Sequence, residues 1–206
     1  MISLVHKAIF IHIPKCAGQS VEETFLQDLP GSLNWENHRH LLSCFERPPS
    51  WPKKFPDRLA HLGASEYVGL SFVSSELWDA FFKFAIVRDP LQRIVSMWKY
   101  LGVNMSLDDF IRRYLPKAIE EDHYFFRSQW RYVMQADGQK PAVDLILPMH
   151  DLSAGWQTVQ ARCGLKANLV HRNRTSHKPA PPVSEFARSS IRDIYSDDYE
   201  YLSEYF

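Results

Sequence analysis

The apolar positions of this chain alternate between two periods. Residues 8–13 form a compact, β-branched apolar run closed by Pro14, Gly18 and Ser20, after which Val21, Phe25 and Leu29 recur at helical spacing. That order predicts a strand, a tight loop and a helix. Residues 30–58 carry proline, tryptophan and histidine with no sustained period, which suits a surface excursion. A short helix is predicted over 74–80, and residues 81–87 (FFKFAIV) form a second buried-strand candidate. Behind it, Asp89 supplies an N-cap acceptor and Pro90 a proline at the first helical position, so a second strand-to-helix junction follows. Helices are predicted over 107–119 and 124–135, a third strand over 143–147, and a helix over Leu152–Cys163 that ends at Gly164. Pro179, Pro181 and Pro182 mark a loop before the last helical stretch. Strands alternating with helices predict an α/β fold, a single domain over residues 1–206 with a mostly parallel central sheet flanked by helices.

Composition narrows what such a fold can do. A chain of 206 residues buries on the order of 70% of the surface its unfolded form exposes, so it needs no disulfide or metal to hold together. Lys plus Arg equals Asp plus Glu at 24 each, which leaves no overall positive field to gather nucleic acid or anionic membrane. An anion would have to be held by a local constellation. Cys16, Cys44 and Cys163 are scattered and odd in number, which argues against a disulfide framework and a zinc site and reads as reduced thiols in a cytoplasm. The opening MISLVHKAIFIHIPK has no signal-peptide core, and no segment approaches the length of a membrane span; a cytoplasmic protein is expected.

The chemistry concentrates at the two strand-to-helix junctions, because the carboxyl ends of parallel strands face helix N-termini whose N–H groups attract anions. The first reads PKCAGQS. Gly18 permits close backbone approach to a phosphate, the loop amides can cradle it, Lys15 adds a point charge and Ser20 a hydroxyl. The lysine precedes the only glycine, so this P-loop-like strand–loop–helix is not a triphosphate-binding GxxxxGK[ST] sequence. At the second junction, RDPLQRIVSMWKY, Arg88 offers a bidentate fork and Ser96 a neutral donor for a second phosphate. The helix that follows places Ile94, Trp98 and Leu101 on one face and Arg93, Ser96 and Tyr100 on another. A plain structural reading competes at each junction: a solvated lysine in an ordinary turn, and Asp89 capping a helix while Arg88 and Arg93 make ion pairs.

Taken together, the motifs IPKCAGQS and RDPLQRIVSMWKY resemble those of the sulfotransferases that use 3'-phosphoadenosine 5'-phosphosulfate (PAPS), closest to the carbohydrate branch that includes the uronyl 2-O-sulfotransferases. That family carries patterns similar to IPKTAGTS and RNPxxRxxSxY in the same order. The resemblance implies that Lys15, Cys16, Ala17, Gly18, Gln19 and Ser20 surround the 5'-phosphosulfate, with the Cys16 amide as donor, while Arg88 and Ser96 hold the 3'-phosphate. It further implies that Arg172, Arg174, Thr175 and Lys178 in the basic segment RNRTSHK close over the nucleotide. Cys16 and Gln19 replace the usual hydroxyl residues, and Tyr100 is shifted behind Trp98.

Sulfuryl transfer resembles phosphoryl transfer in its loose in-line transition state, so Lys15 is expected to stabilise charge on the leaving oxygen, and no metal is expected. The acceptor hydroxyl, with a glycan among the candidate acceptors, needs a base. His61 in LAHLGASEY is the first choice by resemblance to family members; His38, His40, His123 and Glu66 remain alternatives. Trp35, Trp51, His123, Arg127, Gln129 and Trp130 are candidates for an acceptor cleft, although Trp130 could equally be core. A nucleotide kinase, or a nucleotide-binding module without turnover, would use the same architecture.

Overall fold

Short apolar strands and amphipathic helices assemble much as the periodicity predicts. The computed structural model describes residues 1–29, 41–43, 59–138, 140–170 and 181–206. Among the described residues five strands form one sheet: β1 (Ile2–Ser3), β2 (Ala8–Ile11), β3 (Leu41–Leu42), β4 (Phe82–Val87) and β5 (Leu145–Pro148), in the spatial order β3-β1-β2-β4-β5. β2, β4 and β5 run parallel, with Phe10 beside Phe84 and Ala85 beside Ile146. β1 is antiparallel to both β2 and β3. Every residue of β2 and β4 is buried, as continuous apolar runs at the centre of a parallel sheet require. Lys83 is the one charged residue in β4, and its ammonium meets Asp144 at 3.2 Å and the Trp78 carbonyl at 3.2 Å.

The helices are α1 (Gly18–Gln27), α2 (Ala64–Gly69), α3 (Ser75–Ala80), α4 (Pro90–Leu101), α5 (Leu107–Asp109), α6 (Leu115–Glu120), α7 (Trp130–Val133), α8 (Leu152–Cys163), α9 (Glu185–Ile194) and α10 (Ser196–Tyr201). A π-helical turn, Phe110–Tyr114, joins α5 to α6. One apolar cluster packs the sheet against α1 and α8 through Phe10, Phe84, Val21, Phe25 and Trp156. A second joins α4, the π-containing segment and α9 through Ile94, Met97, Phe110, Leu115 and Ile191. The two strand-to-helix junctions follow the carboxyl ends of β2 and β4.

Three predicted features differ for local reasons. The strand predicted from residue 143 begins at Leu145, because Asp144 is tied to Lys83 through its amide at 2.8 Å and its carboxylate at 2.7 Å. The helix predicted over 124–135 is instead a 3-10 turn, Tyr124–Phe126, followed by α7. Its carbonyls at Phe125 and Arg127 are turned to Arg93, and the Trp130 amide to Asp198, so the i to i+4 ladder cannot continue. Leu101, predicted on the Ile94 face, is exposed at the end of α4, where Gly102 turns the chain in the left-handed region.

Candidate functional site

The loop between β2 and α1 is bent by residues that disfavour the bend. Lys15 and Ala17 both adopt left-handed backbone, at φ 68° and 58°, which costs a non-glycine residue about 1–3 kcal/mol. Ala17 is the N-cap of α1 and makes no side-chain cap hydrogen bond. The Ser20 amide donates to the Ala17 carbonyl at 3.0 Å, and the Ser20 side chain lies in a buried position. Gln19 is exposed. Gly18 is required by a neighbour as much as by any ligand: a Cβ there would collide with the His12 ring.

Cys16 departs from its expected role. Its amide donates to the Ile13 carbonyl at 3.2 Å, and its thiol points inward to Gln129 Oε1 at 3.4 Å. Burial pushes the thiol up to about 11, against the pull of Arg93, Arg88 and Lys15. The turn consumes the amide that was expected to meet phosphate, so Cys16 belongs to the floor of the loop.

At the second junction Asp89 caps α4 through the Gln92 amide at 2.8 Å, with Pro90 in the first turn, as predicted. Arg88 is held by its backbone. Gln129, fully buried, accepts the Arg88 N–H at 2.9 Å and donates to the Arg88 carbonyl at 2.7 Å. The same amide reaches Asp198 at 3.3 Å, and Asp198 also accepts the Trp130 N–H at 2.9 Å. Arg93 makes no carboxylate ion pair among the described residues. Its guanidinium donates to the carbonyls of Pro14 at 3.2 Å, Arg127 at 2.8 Å and Phe125 at 3.2 Å, binding the lysine loop to the segment before α7.

Above this floor stand two cations. Burial and the nearby Arg88 charge depress Lys15, and burial depresses Arg88. The Lys15 ammonium lies 4.2 Å from the centre of the Tyr100 ring, four residues beyond Ser96 on α4. Trp98, at the position where the family pattern has tyrosine, instead packs with the second core and donates to the Met105 carbonyl at 3.0 Å. The arrangement is a pair of partly buried positive charges beside strained loop amides, suited to an anion with more than one charged group.

The Sulfotransferase family model matches residues 1–205. This chain belongs to the sulfotransferase family. No curated protein and no solved structure matches it. Membership makes it an enzyme of sulfuryl transfer.

In this sulfotransferase, His61 lies beside the first junction. Its Nδ1 is 2.9 Å from the His12 carbonyl, its ring centre is 4.5 Å from that of His12, and it stacks on Tyr124 at 5.6 Å. A carbonyl can only accept, so Nδ1 carries the proton and Nε2 is the basic nitrogen of the neutral ring. His61 too has left-handed backbone, at φ 80°. The alternatives within the described residues are engaged differently. Glu66 accepts the Gly63 N–H at 2.6 Å and pairs with Arg127 at 3.1 Å, while His123 accepts the Phe125 N–H at 3.2 Å, and burial lowers its pKa. His38, His40, Trp35, Trp51, Arg172, Arg174, Thr175 and Lys178 lie outside the described residues.

The residues suggested for an acceptor cleft divide accordingly. Gln129 and Trp130 are core, Trp130 stacked on Tyr201 at 4.6 Å, and Arg127 is locked by Glu66 and Asp122. A cleft of about 910 Å³ does open between α4 and α9, lined by Arg88, Lys99, Arg188 and Arg192 over Leu91 and Val95. Ser96 is partly buried outside that lining. No helix among the described residues is long and apolar enough to cross a membrane. Sequence reasoning missed Gln129 as the link between the junctions; a buried glutamine that bonds one residue's N–H and C=O has no signature in spacing.

Proposed function

We propose that this sulfotransferase moves a sulfuryl group from PAPS to an acceptor hydroxyl, with the first junction holding the 5'-phosphosulfate and Arg88 with Ser96 the 3'-phosphate. The observation that carries this reading is the Lys15 and Arg88 pair, two partly buried cations whose mutual repulsion an anionic nucleotide would relieve. The loop fits such a donor: α1 begins without a side-chain cap, and left-handed Lys15 and Ala17 shape the approach to its first turn. PAPS, when bound, supplies the activated sulfuryl group. Lys15 carries the charge that stabilises the leaving phosphate oxygen. His61 Nε2 takes the acceptor proton, with the His12 carbonyl holding Nδ1–H and so the tautomer. Arg172, Arg174, Thr175 and Lys178 complete the nucleotide site in this reading. A carbohydrate acceptor, of the kind used by the uronyl 2-O branch, is supported by the motif resemblance, and a cytoplasmic location by the scattered cysteines.

Calorimetry with adenosine 3',5'-bisphosphate and with AMP tests the assignment. A charge-assisted bond contributes roughly 1.5–3 kcal/mol, so the bisphosphate is expected to bind at least about tenfold tighter. Arg88→Ala is expected to erase most of that preference. Equal affinities in the wild-type protein would remove the second junction from the nucleotide site, and an acceptor screen with labelled PAPS would identify the hydroxyl.

A further inference from the structure

Two buried titratable side chains beneath the site have no part in the chemistry above. His12, at the end of β2, and Glu22, one turn into α1, are 6% and 9% exposed, and Nδ1 of the first lies 3.1 Å from Oε1 of the second. A carboxylate cannot donate, so the His12 proton sits on Nδ1 and its ring is held in one orientation. That ring is placed where only glycine can pass: any Cβ at position 18 would overlap it. It stacks on Phe10 at 5.5 Å on one side and meets His61 at 4.5 Å on the other. The carbonyl of the same residue accepts from His61 Nδ1 at 2.9 Å. One residue therefore touches the first turn of α1 through its ring and the base through its ring and carbonyl.

We propose that the buried Glu22–His12 pair is a positioning device that couples the anion-binding loop at Gly18 to the His61 base. Glu22 fixes the His12 ring, the ring sets how closely α1 approaches β2 at Gly18, and the same residue orients His61 Nε2 toward the acceptor. In the transfer step that this orientation serves, the acceptor oxygen bonds to sulfur as its proton passes to His61 Nε2. The bond from sulfur to the bridging oxygen breaks, and its electron pair stays on the 5'-phosphate of the nucleotide. The proposal rests on His61 being the base, and the test separates the two ideas.

The measurement is a double-mutant cycle on the full chain, with turnover and donor KM determined separately and corrected for folded protein. Glu22→Leu is expected to lower kcat by about 10- to 100-fold, the scale of a misplaced reacting group, with donor KM changed less. Glu22→Gln, which keeps an acceptor for His12 Nδ1–H, is expected to recover most of kcat. In a His61→Ala background, Glu22→Leu is expected to have little further effect, because the group it positions is gone. If the same fold-loss appears in both backgrounds, the coupling is wrong while the base survives. If His61→Ala alone leaves turnover unchanged, the base reading fails and the proposal with it. Imidazole nitrogen NMR on the wild-type protein needs no variant to fold: it is expected to show His12 and His61 both protonated on Nδ1, and neutral Nε2–H tautomers at both positions would overturn the proposal.

Discussion

Replacing Arg93 by methionine is expected to damage this enzyme more than replacing any cation that faces solvent. The side chain is 1% exposed and gives its guanidinium N–H groups to three main-chain carbonyls, at Pro14, Phe125 and Arg127. Methionine fills much of the volume but donates nothing, so the carbonyls lose their partner in a buried setting. Each unsatisfied group costs about 1–3 kcal/mol, and partial relaxation brings the expected total to about 3–5 kcal/mol. Burial raises the Asp198 pKa, and the Arg93 charge that pulls against this rise is lost as well. In a chain of this size each kcal/mol lowers Tm by about 2–4 °C, which predicts a fall of about 6–20 °C. Urea titration is expected to show a lower midpoint with unchanged slope. Arg93→Lys should recover little, since one ammonium cannot span carbonyls on two segments. Because Pro14 precedes Lys15, turnover of the folded fraction should fall too. A loss under about 1 kcal/mol with normal turnover would refute the view of Arg93 as the tie between loop and scaffold.

Lys15→Ala is expected to lower kcat with a smaller change in nucleotide affinity, measured by initial rates and calorimetry; normal turnover at saturating donor would leave Lys15 a binding residue only. Burial and Arg88 depress the Lys15 pKa, so activity that needs the ammonium should fall on the alkaline side at a lower pH than for a solvated lysine. Arg88→Ala should move that limb upward, and an unmoved limb would separate the two charges. His61→Ala is expected to lose about 10²–10⁴ in turnover while nucleotide affinity and Tm stay near wild type. Cys16, buried with its thiol pushed up to about 11, is expected to resist alkylation at neutral pH until the chain unfolds, which peptide mass mapping reads directly.

The sequence revealed most where a residue acts through its neighbours along the chain. The runs AIFI and FKFAIV gave the two central strands, and Asp89 with Pro90 gave the start of α4, because burial and capping are local patterns. The strands Ile2–Ser3 and Leu41–Leu42 went unseen, since two residues set no period. Gln129, Arg93 and Asp198 were illegible as a unit for a different reason: each bonds main-chain atoms or side chains tens of residues away, and no spacing encodes that. Of the two roles open to Trp130 the structure takes the core one, and spacing could not decide it because its neighbour Tyr201 comes from the far end of the chain. Tyr100 rather than Trp98 stands over Lys15, while the Trp98 indole N–H is turned to the Met105 carbonyl, a difference that spacing alone does not show.

The same contrast explains how the site is built. Beneath the loop nearly every polar group has a partner of fixed geometry: Gln129 holds the Arg88 backbone, Arg93 the Pro14 carbonyl, Glu22 the His12 ring. At the surface the opposite holds, for Lys15 and Ala17 are strained and Lys15 and Arg88 repel. Between its folded and unfolded pKa values Lys15 binds fewer protons when folded, so its contribution to stability improves as pH rises and is unfavourable near neutrality. A fold selected only for stability would relax the strain and move the cations apart. The rigid floor prevents both, and an anion seated over the loop would turn the repulsion into attraction without any rearrangement of the scaffold. In the proposed reading, preorganisation of this kind places the cost in folding and leaves the charge in position when negative charge develops on the leaving oxygen.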